Sequence, residues 1–182
     1  MGLALLLGPP PAAAEGDLTL SLYGGQFSGS RNGDVIALML QDSYAVGFGV
    51  IKEFEQSPPH LRWEVETVAL RHFGRQDHQE VAASVNVRWV TFPWDAYADT
   101  SVAFGGGLSY ATEVPAVEAR DNPETGSTRL LHYIMIELAV AVPGTARWSL
   151  VGRIHHRSGA WGLFDGVGRA SNIFLGGVRY RF

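Results

Sequence analysis

Period two runs through this chain, and helical periodicity is hard to find in it. Leu18, Leu20 and Leu22 alternate with Thr19, Ser21 and Tyr23, and Tyr44, Val46, Phe48 and Val50 alternate with Ala45, Gly47, Gly49 and Ile51. Leu61, Trp63 and Val65 oppose Arg62, Glu64 and Glu66, with a weaker pattern beyond, and Val81 to Trp89 opposes Glu80 to Arg88. The second half is clearer: Val102 to Tyr110, Ile134 to Val142, Trp148 to Ser158 and Phe174 to Phe182 each carry large apolar residues on one phase. These are eight strands of about 10 to 13 residues, long enough to cross a bilayer at a barrel tilt.

The connections predict a closed barrel. Pro143-Gly144-Thr145 reads as a tight turn, and "EQSPPH" and "FPWDAYAD" as short to middling ones. The alternate connections, 27–43, 111–128 and 159–170, are longer, with a shorter one near 73–78. Long loops at one end and short turns at the other is the outer-membrane pattern. The chain also closes on an aromatic in the apolar phase, Phe182 of "VRYRF".

The other phase holds ionisable groups of both signs: Arg62, Glu64, Glu66, Arg88, Glu137, Arg153, Arg179 and Arg181. An eight-stranded lumen is just wide enough to be filled by side chains, and charges there must be paired. This set reads as a plug of salt bridges. A soluble lipocalin-type barrel would turn the same alternation inside out. Three features favour lipid outside: the thinly charged, Gly/Ala/Ser-rich inner phase, the terminal phenylalanine, and the aromatics Trp63, Trp89, Trp148, Tyr44, Tyr110 and Tyr180 near strand ends. The expected fold class is all-β, an eight-stranded antiparallel transmembrane β-barrel.

Composition adds little but excludes some classes. Charged residues are 18% against 46% hydrophobic, and the formal charge of −4 with no basic cluster gives no hint of nucleic-acid binding. Absence of cysteine rules out a disulfide scaffold or thiolate metal site. Residues 1–14, "MGLALLLGPPPAAA", lack a basic start but end in an A-x-A-like site, which predicts the remnant of a signal peptide or a flexible tail. Residues 15–182 are then a single barrel domain.

One feature does not suit a barrel wall. The apolar phase of the seventh strand ends in His156 and Ser158, so a base and a hydroxyl two residues apart face lipid. Polar groups are cheap among headgroups at a strand end, and that alone accounts for an isolated pair. His155 falls on the opposite face, which argues against a His155–His156 metal site. No metal and no cofactor is expected.

His156-Arg157-Ser158 at the outer end of the penultimate strand, on a barrel finishing "GGVRYRF", resembles the lipid A 3-O-deacylases (PagL). The likeness covers most of the mature chain, including "EVETVALRHFGRQ", "VRWVTFPW", "GGLSYATEVP" and "HHRSGAWGLF". It implies a serine esterase in the outer membrane, with its site in the outer leaflet and lipid A or lipopolysaccharide as substrate. Ser158 matches the nucleophile and His156 the general base, the two groups that serine activation requires. The expected alternative is a catalytically inactive structural or lipid-binding barrel of the same ancestry. Oligomeric state stays open, a homodimer among the options.

The chain departs from the family pattern twice. The glutamate that orients the family's histidine falls at Ala170, and the asparagine that often follows the serine is Gly159. Asn172, at the start of strand eight, can replace the glutamate by holding the imidazole tautomer, and Asp165 in the loop is a second candidate. The amides of Gly159 and Ala160 are candidates for an oxyanion hole. His132 lines the same patch or sits at the rim. Arg157 and Arg169 are either contacts to lipid A phosphates or ordinary residues of a solvated rim, while His72 and Glu80 read as polar rim groups flanking a turn. "GVGR" and Gly105–Gly107 have no strand-loop-helix context and are not phosphate loops.

Overall fold

The computed structural model describes residues 18–28, 40–54, 58–141, 143, 147–168 and 170–182. They form eight strands: β1 (Leu18–Ser28), β2 (Leu40–Glu53), β3 (Leu61–Gly74), β4 (His78–Trp89), β5 (Asp99–Ala111), β6 (Leu130–Ala141), β7 (Trp148–Ser158) and β8 (Ala170–Arg181). Each pairs antiparallel with the next, and β8 pairs with β1 to close the barrel. The N-terminal segment 1–14, residues 144–146 of the β6–β7 turn, and Arg169 lie outside the described residues.

The two phases fall as the alternation predicts. Leu20, Leu22, Val46, Phe48, Val85, Phe104, Leu138 and Leu150 are exposed on the outer wall. Glu64, Arg88, Glu137 and Arg153 are at most 2% exposed. A wall of apolar side chains around a charged lumen fits lipid outside and excludes the lipocalin arrangement. Trp63, Trp89 and Trp148 stand exposed at the end that carries the short turns, and Tyr44 and Tyr110 at the loop end. Trp148, Tyr180 and the final Phe182 pack ring to ring, with centroids 4.7 and 5.0 Å apart.

The salt-bridge plug is built around Glu137. Its carboxylate takes Arg88 at 2.8 Å, Arg153 at 2.6 Å and Arg179 at 2.7 Å. Glu64 binds Arg88 at 2.7 Å and Glu66 binds Arg153 at 2.8 Å, while Tyr23 donates to Glu137 at 3.1 Å. Three carboxylates from β3 and β6 thus meet three guanidiniums from β4, β7 and β8. Buried charge is tolerable only with such pairing, and here the pairing ties strands on opposite sides of the lumen. Arg62 and Arg181 sit farther out, sharing Glu53 at 3.7 and 2.6 Å. Gly105 makes room for this packing: a Cβ there would collide with the Asn86 side chain, which donates to Glu66 at 3.2 Å.

One strand is fainter in the sequence than in the fold, and one helix goes beyond the sequence expectation. β3 continues to Gly74 because its inward positions Val68 and Leu70 are apolar, which blurs the polar–apolar contrast without ending the pleat. They join Tyr23, Phe27, Ile173 and Leu175 in an apolar layer of the lumen. The β5–β6 loop also holds one short helix, α1 (Ala116–Asp121). Pro115 precedes it with extended backbone, and Asn122 closes it by donating its amide to the Glu118 carbonyl at 2.8 Å. The helix lowers Glu118 into the loop end of the lumen, where Arg157 donates to it at 3.0 Å and Ser171 at 2.6 Å.

Candidate active site

The site lies on the outer wall near the loop end of β7. Antiparallel register puts His156 between Ile134 of β6 and Asn172 of β8, and Ser158 between His132 and Ala170. His156 and Ser158 are half-buried, two residues apart on one face of the strand. His156 Nδ1 is 2.7 Å from Asn172 Oδ1. With that carbonyl as acceptor, Nδ1 carries the imidazole proton and Nε2 keeps its lone pair. Asn172 is 3% exposed despite its place on the outer wall, so its hold on the ring is shielded from solvent. Among the described residues no hydrogen bond joins Ser158 Oγ to His156. Such contacts often tighten only when substrate arrives.

His132 shares this patch, half-buried directly across from Ser158. Asp165 does not: it is exposed in the β7–β8 loop and, among the described residues, makes no hydrogen bond to His156. Of the two candidates for orienting the ring, Asn172 is the one in contact.

Gly159 begins a compact turn. A Cβ at this position would collide with the Val167 carbonyl, so only glycine lets the loop fold back here. Ala160, Trp161 and Gly162 follow in the left-handed region, at φ of 46°, 58° and 90°. The turn's own backbone bonds use the N–H groups of Gly162, Leu163, Phe164, Gly166 and Val167. Among the described residues, those of Gly159 and Ala160 take no part in these bonds and lie directly after Ser158. Trp161 and Leu163 are the most exposed apolar side chains of the loop, at 101% and 81%. Sequence reasoning missed them, because no periodicity marks a left-handed turn.

Three residues expected outside or at the rim lie inside the barrel. Arg157 is 1% exposed and faces the lumen, where it donates to Glu118 and to the Arg129 carbonyl, both at 3.0 Å. It is therefore not a contact for lipid phosphates; the pleat sends it to the face opposite His156 and Ser158. His72 and Glu80, expected at the rim, are each 1% exposed inside the barrel and joined at 2.9 Å. His155 reaches the other oxygen of Glu80 at 2.7 Å.

Below the site the outer wall is recessed. Gly152, Gly176 and Gly24 stand side by side across β7, β8 and β1. A Cβ at Gly152 or Gly24 would meet nothing within 4 Å, so the row is a trough rather than a packing necessity. An open apolar recess of about 390 Å³ lies here, lined by Ile136, Leu138, Gly152, Ile154, Phe174 and Gly176 among others. Gly152 is four residues from His156 on the same face, ~13 Å along the strand.

No protein-family model matches the chain, and comparison with curated proteins finds no match. Comparison with solved structures does. The outer membrane enzyme PagL superposes with a TM-score of 0.62 at 14% identity, over 88% of this chain and 97% of that one. The N-terminal β-barrel domain of Pseudomonas aeruginosa OprF gives 0.52 at 9% identity over 91% and 96%. Neisserial surface protein A gives 0.50 at 10% identity, again over 91% and 96%. At these identities the likeness is one of fold: the chain has the eight-stranded barrel of outer-membrane proteins.

Proposed function

We propose that the protein is an outer-membrane serine esterase that removes the 3-O-linked acyl chain of lipid A, or of a closely related glycolipid in lipopolysaccharide. One observation carries the reading: a histidine on a lipid-facing wall, its Nδ1 held at 2.7 Å by a buried asparagine, with a serine two residues along the same face. A wall that only has to meet lipid has no use for an oriented imidazole. The shared fold with PagL, an outer membrane enzyme, and the recess beneath the site support it.

In this reading the lipid arrives sideways from the outer leaflet. Ser158 Oγ attacks the ester carbonyl carbon while His156 Nε2 takes its proton, and Asn172 stabilises the tautomer that makes Nε2 the acceptor. The tetrahedral oxyanion is met by the N–H groups of Gly159 and Ala160. His156 returns the proton to the departing 3-hydroxyl of the glucosamine. Water, deprotonated by the same nitrogen, then attacks the acyl-serine and releases the fatty acid. A neutral asparagine does not stabilise the imidazolium as a carboxylate does, so turnover is expected to be slower than with an acidic third member.

The test is lipid A mass spectrometry from cells producing the wild type or Ser158→Ala. Loss of one 3-hydroxyacyl mass with the wild type and none with the variant is the expected result. Unchanged lipid A in both, with each barrel folded in the membrane, would overturn it. That outcome would favour the second reading, a silent lipid-facing barrel, whose own support is Ala170 at the family's glutamate position.

A further inference from the structure

The lumen holds a second cluster that neither the plug nor the outer site uses. His72 lies two residues from the end of β3 and His78 begins β4, and the two are cross-strand partners beneath the turn 75–77. Their rings stack nearly parallel, 4.2 Å apart. One ring nitrogen of each and a carboxylate oxygen of Glu80 lie within 4.8 Å of one another, all three side chains buried. Both Glu80 oxygens are already engaged: one by His72 at 2.9 Å, the other by His155 at 2.7 Å and the Ser109 hydroxyl at 2.6 Å.

What the cluster lacks is donors and acceptors for the rest. His78 Nε2, His72 Nδ1 and both amide atoms of Gln76, in the turn above, are buried with no protein partner among the described residues. Buried polar atoms are normally satisfied, and a group of unsatisfied ones around a single turn calls for an explanation. Each neutral imidazole keeps one nitrogen with a free lone pair, so two such rings beside a carboxylate supply metal donors.

We propose that His72, His78 and Glu80 bind a divalent transition-metal ion, with zinc the best chemical match and the Gln76 carbonyl as a fourth donor. Two imidazole nitrogens and one carboxylate oxygen form a zinc ligand set, whereas calcium and magnesium prefer oxygen alone. Tetrahedral zinc places its donors roughly 3.3–3.6 Å apart, so binding requires the donors to close by ~1–1.5 Å and the two stacked rings to tilt until both lone pairs meet the ion. All of these ligands are buried protein side chains, which assigns the ion a structural role. It staples β3 to β4 and fixes Glu80, whose other oxygen holds His155 next to the candidate base His156.

The test uses the untagged barrel folded in detergent and stripped with a chelator. Titration with Zn²⁺ by calorimetry is expected to saturate at one ion per chain, and Co²⁺ to give the visible absorption of a tetrahedral site. Zn²⁺ should raise the unfolding temperature of the wild type. His78→Ala leaves every hydrogen bond of Glu80 in place and is expected to fold. It should lose at least about a hundredfold in affinity, more than an outer-shell partner is worth, and lose the thermal shift. His72→Ala, if it folds, should do the same. Absence of saturable binding by the folded wild type, or binding unchanged in His78→Ala, would overturn the proposal.

Discussion

Two neighbouring histidines on β7 have opposite surroundings. His155 faces the lumen, fully buried, with Nε2 2.7 Å from Glu80 and its ring 4.4 Å from that of Tyr133. His156 lies on the outer wall, half-buried, with Nδ1 2.7 Å from Asn172 Oδ1. The same contrast runs along the strand: Arg153 meets two carboxylates, Glu66 and Glu137, while Ser158 outside has no hydrogen bond to the histidine beside it. Around Glu137 the charged groups are matched to one another, and the result is rigidity. Outside, one nitrogen is fixed and the other is left to accept a proton. Satisfied polar groups hold a structure together, and an oriented group with spare capacity can do chemistry.

The largest expected effect breaks the outer side of this comparison. Ser158→Ala should lower ester hydrolysis at least about 10⁴-fold, as removal of a nucleophile does, while heat-modifiable migration on gels stays that of a folded barrel. The inner side breaks differently. Glu137→Ala removes the carboxylate that three guanidiniums share and leaves them only Glu64 and Glu66, and loss of one partner from a buried pair costs about 3–5 kcal/mol. Denaturant unfolding in detergent should show that loss. Activity per folded molecule should change little, because Glu137 does not touch the outer wall. If the two variants shifted both readouts alike, the separation of scaffold from site would fail.

Asn172 sharpens the comparison, since it belongs to the outer wall yet is buried like a lumen residue. Asn172→Ala frees Nδ1 and should lower turnover by about 10- to 100-fold without loss of stability beyond ~1 kcal/mol, the net worth of one hydrogen bond. Asn172→Asp restores an acceptor and adds the charge that stabilises an imidazolium, so it should equal or exceed the wild type. A rate unaltered by either change would remove Asn172 from the site.

Much of this arrangement was legible because a strand has only two faces. The phase of the pleat assigned wall or lumen along most of the eight strands, and antiparallel order alone placed Asn172 and His132 beside the His156–Ser158 pair. The same phase put Arg157 indoors, against its assignment to lipid phosphates. Legibility ended where the pleat carries no contrast or where no pleat exists. Val68 and Leu70 hid the upper half of β3, and with it the lumen position of His72. Six residues of α1 are too few to show a period. The turn after Gly159 depends on left-handed backbone at Ala160 and Trp161, which side-chain preferences argue against.

The smallest effect concerns the recess. Gly24, Gly152 and Gly176 form a row of absent side chains across three neighbouring strands of an apolar wall, and two of them have open space where a Cβ would stand. A trough that starts below His156 and descends toward the bilayer centre suits an acyl chain lying along the strand with its ester at Ser158. Gly152→Leu fills the trough without meeting a neighbour at Cβ, so folding and stability should hold. The expected result is a rise of about tenfold in KM for long-chain esters, roughly the worth of lost contact with one or two methylenes. Hydrolysis of a short soluble ester should be unchanged, because it never reaches Gly152. An equal loss on both substrates would mean that the substitution disturbs β7 itself, and the trough would then be only a feature of the wall.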